Sequence, residues 1–153
     1  QELGKLLGSM ADNGLHSATD FDKQISAYQR EETKLRNEIA ELRSKSKIYA
    51  ATTHNLQACR TYKSVWLEYA SKTHAQKDTF YKQNEAALQT YYRAASQLDK
   101  MGISLGTEPE KVRQLVTETE SRIADLIAEL ETVRKSNRSI QEDKEKVEQI
   151  QSG

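Results

Sequence analysis

The side chains that could perform catalysis or bind a metal are few and scattered in this sequence of 153 residues. His16, His54 and His74 have no His or Cys at i+4, and none of them belongs to a cluster of several Cys, His and Asp residues, although zinc sites need several such ligands at short spacings. Cys59 has Arg60 beside it, but no base stands at a spacing that would activate a nucleophile. Phosphate-binding glycine loops and hydrolase or kinase motifs are absent. We therefore expect no catalytic residue, no metal site and no cofactor.

The clearest local anomaly is a run of positive charge. The chain balances 23 Lys and Arg against 23 Asp and Glu, yet the stretch 42–67 contains cations and no acid. Because phosphate contacts provide much of the affinity for nucleic acids, we predict a DNA-binding role for the cations of this stretch: Arg43, Lys45, Lys47, Arg60 and Lys63. On a helical projection Arg43 and Lys47 share one face, whereas Lys45 and Lys63 lie on another, near an apolar seam. The alternative is a solvated face that pairs with the acidic last helix.

Aromatic side chains are the second candidate feature. Five of the seven Tyr residues and the only Trp lie between positions 62 and 92. Such rings can stack on nucleic-acid bases. However, Tyr62, Val65, Trp66 and Tyr69 follow the spacing i, i+3, i+4 and i+7, which places them along one side of a helix. This spacing favours a packed helical head with a buried aromatic stripe.

The elements that must position these side chains are helices. A composition with one Pro and many Glu, Lys, Gln and Ala favours helix almost everywhere, and we expect no sheet. Apolar side chains recur in steps of mostly three and four from Phe21 to Leu56, and again from Val112 to Val147, which is the heptad pattern of a coiled coil. Caps and breaks between these seams predict helices over about 19–72, 75–100 and 108–150.

These seams predict an all-α fold: a long antiparallel helical hairpin, or coiled-coil stem, with a small aromatic-rich helical head. Residues near 20–45 would pair with residues near 122–150, and residues near 50–118 would form the head. A short N-terminal helix and turn over 1–15 would precede this hairpin module of residues 16–153. The same seams could also pair between two chains, so a homodimer is the competing arrangement.

Cysteine content and apolar runs bear on location. One Cys cannot form an internal disulfide, and a free thiol suits a reducing compartment, so we expect a cytoplasmic protein. The longest apolar runs are far shorter than the roughly 18 residues of a membrane span, and we expect none. Because the chain opens on Gln1 rather than Met, we expect it to be a fragment or a processed product.

The middle of the chain carries a distinctive order of aromatic, acidic and small residues: Tyr49, Tyr62, Lys63, Tyr69, Phe80, Tyr81, Glu85, Ala86, Leu88, Tyr91, Ala94, Ala95 and Leu98. This order resembles the helical C-terminal region of relaxase/mobilization nucleases from conjugative and mobilizable elements of Gram-positive bacteria. The opening segment is similar to the stretch that precedes the first long helix of those proteins, through Leu6, Leu7, Met10, Gly14, Leu15 and Phe21.

The resemblance implies a parent enzyme that nicks one DNA strand at a transfer origin, holds it through a phosphotyrosine and pilots it to the recipient. The family places the nucleophilic Tyr and a His-rich metal site in an N-terminal domain, and no Tyr of this chain matches the catalytic position. The chain would then be a non-catalytic interaction module, with relaxosome or coupling proteins and origin DNA as partners. The alternative is a structural coiled-coil spacer or dimerization element of an unrelated protein.

Overall fold

Four helices make up most of residues 18–152, which are the residues that a computed structural model of the chain describes. Helix α1 spans Ala18–Ser71, α2 spans His74–Gln83, α3 spans Glu85–Lys100 and α4 spans Pro109–Ser152. No strand occurs among these residues, so the all-α fold class is confirmed. The short helix predicted over 1–15 lies outside the described residues.

Local sequence features account for the length of α1 and for the starts of α2 and α4. Helix α1 runs for 54 residues without a Gly or Pro, so nothing in its backbone chemistry interrupts it. At the start of α2, the Thr73 N–H donates to Gln76 Oε1 at 3.4 Å, which is one of the two hydrogen bonds of a capping box. Helix α4 begins at Pro109, the only proline, whose missing N–H costs nothing in a first turn.

The single helix predicted over 75–100 is instead two helices, because the chain leaves helical geometry at Asn84. This residue has φ −126° and ψ 26°. Its side-chain Nδ2 donates to the Phe80 carbonyl oxygen at 3.0 Å, and its backbone N–H donates to the same oxygen. Asn favours such local side-chain bonds over helix continuation. The result is a break of one residue between α2 and α3.

The chain divides into two compact units, and α1 and α4 contribute to both. We call the first unit the stem, which comprises the described residues 18–42 and 122–152. We call the second unit the head, which comprises Arg43–Ser121.

The stem is held together by two apolar clusters between the first part of α1 and the last part of α4. In one cluster Phe21 packs with Ile140 and Val147, and in the other Leu35 and Ile39 pack with Leu126 and Leu130. As residue numbers rise along α1 they fall along α4, so the two helices run antiparallel. The buried residues are those of the two predicted seams, which confirms the antiparallel stem.

Polar residues at seam positions of the stem have partners. Lys144 Nζ donates to Asp22 Oδ1 on the opposite helix at 2.6 Å, and this hydrogen bond raises the pKa of the Lys144 ammonium. Asn137 is 8% exposed, and its Oδ1 accepts a hydrogen bond from Gln141 Nε2 at 3.2 Å. Gln141 lies one turn further along α4, so this hydrogen bond of the buried amide is made within its own helix.

The head has its own core, made by α1, α3 and the start of α4. Its buried members are Leu56, Cys59, Tyr91, Ala94, Leu98 and Val112. The α1 seam shifts here by one residue. A heptad step of four from Tyr49 leads to Thr53, but Thr53 is only partly buried, whereas Thr52 is 2% exposed. Thr52 Oγ1 contacts Met101 Sδ at 3.9 Å, so the residue that follows α3 packs against α1 here, in addition to the start of α4. The bulkier, aromatic character of this stretch reflects that change.

The loop after α3 begins with a left-handed residue, Gly102, at φ 69°. The Ile103 N–H donates to the Leu98 carbonyl at 2.9 Å, and the Gly102 N–H donates to the Asp99 carbonyl at 3.0 Å. This pair of bonds is a Schellman motif, and Ile103 completes it by packing against the cluster that contains Leu98. The motif turns the chain out of α3 and leads it towards α4.

We expect Gly102→Ala to lower the free energy of unfolding by about 1–2 kcal/mol, because a side chain is strained in the left-handed region. The loss would be purely conformational, since an added Cβ meets no atom within 4 Å. Gly106→Ala is the matched control, because Gly106 has no positive φ of this kind and its added Cβ lies 3.7 Å from Ser104 Oγ. Urea unfolding of both variants measures the difference. Equal losses would contradict the assignment of strain to Gly102.

Candidate nucleic-acid interface

All five cations of the acid-free stretch lie on the part of α1 that belongs to the head, and all five are exposed. In the described part of the chain no carboxylate lies within 4.0 Å of them; the ion pairs there involve other cations, such as Lys72 with Glu68. Helix α1 displays them because none occupies a buried seam position. Their charges are therefore available to an external anion.

The structure brings two of the five together and leaves three apart. Arg60 and Lys63 line one cavity of about 410 Å³, together with Cys59, Tyr91 and the loop that leads into α4. Arg43, Lys45 and Lys47 lie earlier on α1, and Lys47 precedes Arg60 by about 20 Å of helix axis. The five predicted cations thus form two groups on α1. Arg60 and Lys63 lie at a cavity, and Arg43, Lys45 and Lys47 lie together on an earlier turn.

Charge is distributed unevenly between the two units of this neutral chain. Within Arg43–Ser121 there are 12 Lys and Arg against eight Asp and Glu, a net charge of +4. The stem holds 10 Lys and Arg against 13 Asp and Glu, a net charge of −3. An anionic ligand is therefore attracted to the head and repelled by the stem. Overall neutrality conceals this polarity.

The aromatic rings of the head are mostly packed against one another. The rings of Trp66 and Tyr91 stack with centroids 4.9 Å apart and an interplanar angle of 19°. The ring centroids of Tyr69 and Trp66 are 5.9 Å apart, and Lys77 Nζ lies 5.3 Å from the centroid of the Tyr69 ring. Most of the rings therefore build the head, as their helical spacing predicts. Tyr92 differs, because it is 62% exposed, and the sequence pattern gave no signal for it.

Cys59 and Tyr91, two titratable side chains, are both buried in the core of the head. Cys59 is 4% exposed, and burial raises the pKa of its thiol, which disfavours the thiolate. Burial likewise raises the pKa of Tyr91, with a smaller contribution from Cys59. Among residues 18–152 no group of three or more His, Cys, Asp or Glu is placed to hold a metal ion.

The raised pKa of Cys59 predicts a pH dependence of stability. The neutral thiol contributes stability that is fully present below the unfolded-state pKa, near 9.0, and that is lost as pH rises through the higher folded-state pKa. We therefore expect the free energy of unfolding of the wild type to fall above about pH 9. The free energy of unfolding of the Cys59→Ala variant should fall less steeply with pH. Urea unfolding at pH 7.5, 9 and 10 measures this difference. Parallel curves for the two proteins would show that the thiol titrates alike in both states.

No family model matches the chain, and comparisons with curated proteins and with solved structures found no match. Fold and site together define a class of protein, an all-helical chain with an acidic stem unit and a basic, aromatic head unit. In the described residues, no helix is both long enough and apolar enough to cross a membrane.

Proposed function

We propose that this chain is a non-catalytic helical interaction module of a DNA relaxase that acts in conjugative transfer or plasmid mobilization. In this proposal the head contacts origin DNA through its exposed cations, and the module also binds relaxosome or coupling proteins. The observation that carries the DNA contact is the exposure of all five cations on a unit with a net charge of +4. A reducing, cytoplasmic location, which suits the free Cys59, is part of the proposal.

The relaxase assignment is supported by the place of the resembling residues in the fold. Leu88, Tyr91, Ala94 and Leu98, which belong to the distinctive order of residues, are buried in the head. A pattern set by packing is tied to a particular tertiary structure, whereas a pattern of exposed charges recurs in many coiled coils. In this proposal the resemblance includes residues that build the core of the head.

The DNA contact follows from electrostatics. Each Lys or Arg that neutralises a phosphate releases condensed counterions, so affinity falls with salt in proportion to the number of contacts. A cation without a nearby carboxylate can contact a phosphate directly. A cation in an internal ion pair would first have to break that pair. The acidic stem adds specificity of orientation, since its charge repels the phosphate backbone.

We expect a variant with Arg43, Lys47, Arg60 and Lys63 replaced by Gln to bind DNA more weakly and with a shallower salt dependence. Each lost contact should reduce the slope of log K against log salt by about 0.7–0.9. Fluorescence anisotropy with labelled single- and double-stranded origin DNA at several salt concentrations measures both quantities.

The matched control replaces two Lys and two Arg of the stem, namely Lys34, Arg122, Arg138 and Lys146, by Gln. These side chains are exposed and belong to the stem. The control should keep the wild-type slope, although its net charge changes equally. Equal effects of the two sets, binding without salt dependence, or no binding below about 10 μM would remove phosphate contact from the proposal.

A structural coiled-coil spacer is the second candidate, and the stem is the observation that favours it. Leu35, Leu126 and Leu130 are buried between two helices of one chain. A spacer needs such a stem and nothing more. The same titration separates the two candidates, because a spacer has no reason to bind DNA.

A further inference from the structure

Three cavities of the head adjoin one another. The first, of about 410 Å³, is the one lined by Arg60 and Lys63. Tyr91 and Leu105 line this cavity and also a second one of about 430 Å³. Because the two cavities share these lining residues, they lie side by side on the head.

The third cavity, of about 420 Å³, continues the series. Trp66 and Tyr92 line both the second and the third cavity, and Arg93 lines the third. We call the three cavities together the head groove. Its first part carries two cations, its middle is walled by aromatic rings and its last part carries a third cation. All of its lining residues belong to the head.

Among the aromatic residues that line the head groove, Tyr92 is unusual in its exposure. Trp66 is stacked on Tyr91 and is therefore engaged in packing. Tyr92, in contrast, is 62% exposed although it lines two of the three cavities. Exposing a large ring beside a groove leaves apolar surface in water, and contact with a flat ligand would remove that surface.

The order of groups along the head groove matches a single nucleic-acid strand. Proteins that bind single strands combine cations that track the phosphates with rings on which the bases stack. In a duplex the bases are already stacked on each other, so a ring in a groove wall cannot reach their faces. Asp99 and Glu108 also line the groove, and with Arg60, Lys63 and Arg93 they leave it a net charge of +1.

We propose that the head groove binds single-stranded DNA, with an unpaired base stacked on the Tyr92 ring and the flanking phosphates held by Arg60 and Lys63 on one side and Arg93 on the other. This inference rests on the proposed function and adds to it the form of DNA that the head selects. The net positive charge and the open ring favour this ligand over an acidic peptide.

The test compares single-stranded and duplex DNA of one sequence, bound to the full chain and followed by anisotropy. Tyr92→Ala should weaken binding of the single strand by about 5- to 100-fold, because it removes one base–ring stack. Binding of the duplex should change by less than about twofold. Tyr92→Phe keeps the ring and should retain wild-type affinity for the single strand. Leu67→Ala is the matched control, since Leu67 is 56% exposed on α1 and lines none of the three cavities.

A second readout reports stacking directly. A single strand that contains 2-aminopurine should lose fluorescence on binding to the wild type and to Tyr92→Phe, but not to Tyr92→Ala. The inference is overturned if Tyr92→Ala binds the single strand like the wild type, or loses affinity for both forms of DNA equally. Either result leaves the proposed DNA contact in place. If the wild type binds neither form, the proposed DNA contact fails, and the inference fails with it.

Discussion

Replacing Leu126 by Ala should lower the free energy of unfolding by about 2–5 kcal/mol. Leu126 is 1% exposed and packs with Leu35, Ile39 and Leu130 in the middle of the stem. Truncation removes buried apolar surface and leaves a cavity that two long helices cannot easily close. Equilibrium urea unfolding, followed by circular dichroism, measures the loss.

The neighbouring residue provides the control for Leu126. Ile127 is 42% exposed on the same helix, so Ile127→Ala removes little buried surface. Ala also has the higher helix propensity, which offsets part of that small loss. We expect a change below about 1 kcal/mol. If the two variants lost equal stability, the register of the stem would be wrong.

Leu98→Ala should destabilise the head by a similar amount, about 2–5 kcal/mol. Leu98 is 0% exposed in the cluster that joins α1, α3 and the start of α4. Its carbonyl also accepts the Ile103 N–H of the Schellman motif, so the cavity would adjoin the turn that ends α3. Urea unfolding measures the loss in stability.

For this variant Leu67→Ala is the control, because Leu67 is 56% exposed. Its loss should stay below about 1 kcal/mol, since most of the side chain is already in water. A Leu98→Ala variant as stable as this control would mean that the predicted head core does not form.

The stem could be predicted from sequence because one rule decides it. A heptad pattern places Leu35, Ile39, Leu126 and Leu130 on the facing sides of two helices, whatever the rest of the chain does. At Lys144 a polar residue lies near this seam, and its ammonium group donates to Asp22 on the opposite helix. Local periodicity carries the whole of this information.

The head was less predictable because its packing depends on several elements at once. On α1, Thr52 rather than Thr53 is buried in the head core, because the residue that follows α3 packs against it. The spacing of residues along α1 does not indicate where α3 ends. The break at Asn84 depends on a local competition for the Phe80 carbonyl that helix propensity does not include. Prediction from periodicity fails where a helix changes its packing partner.

The candidate interface shows the same division. The acid-free stretch identified all five cations, and helical projection separated Arg43 and Lys47 from Lys63. It could not show that Arg60 and Lys63 share a cavity with Tyr91, because that cavity is closed by α3 and by the loop before α4. The exposure of Tyr92 could not be predicted either, because its sequence neighbour Tyr91 is the same residue type and is buried.

The central claim is that α1 and α4 of a single chain pair antiparallel in the stem. Spin labels at Lys23→Cys and Glu145→Cys, in a Cys59→Ala background, test it most directly, because the adjacent residues Asp22 and Lys144 are in contact. With helix axes about 8–10 Å apart, we expect an inter-label distance below about 30 Å that persists when labelled protein is diluted with unlabelled protein. A longer distance, or a short one that disappears on dilution, would contradict pairing within one chain.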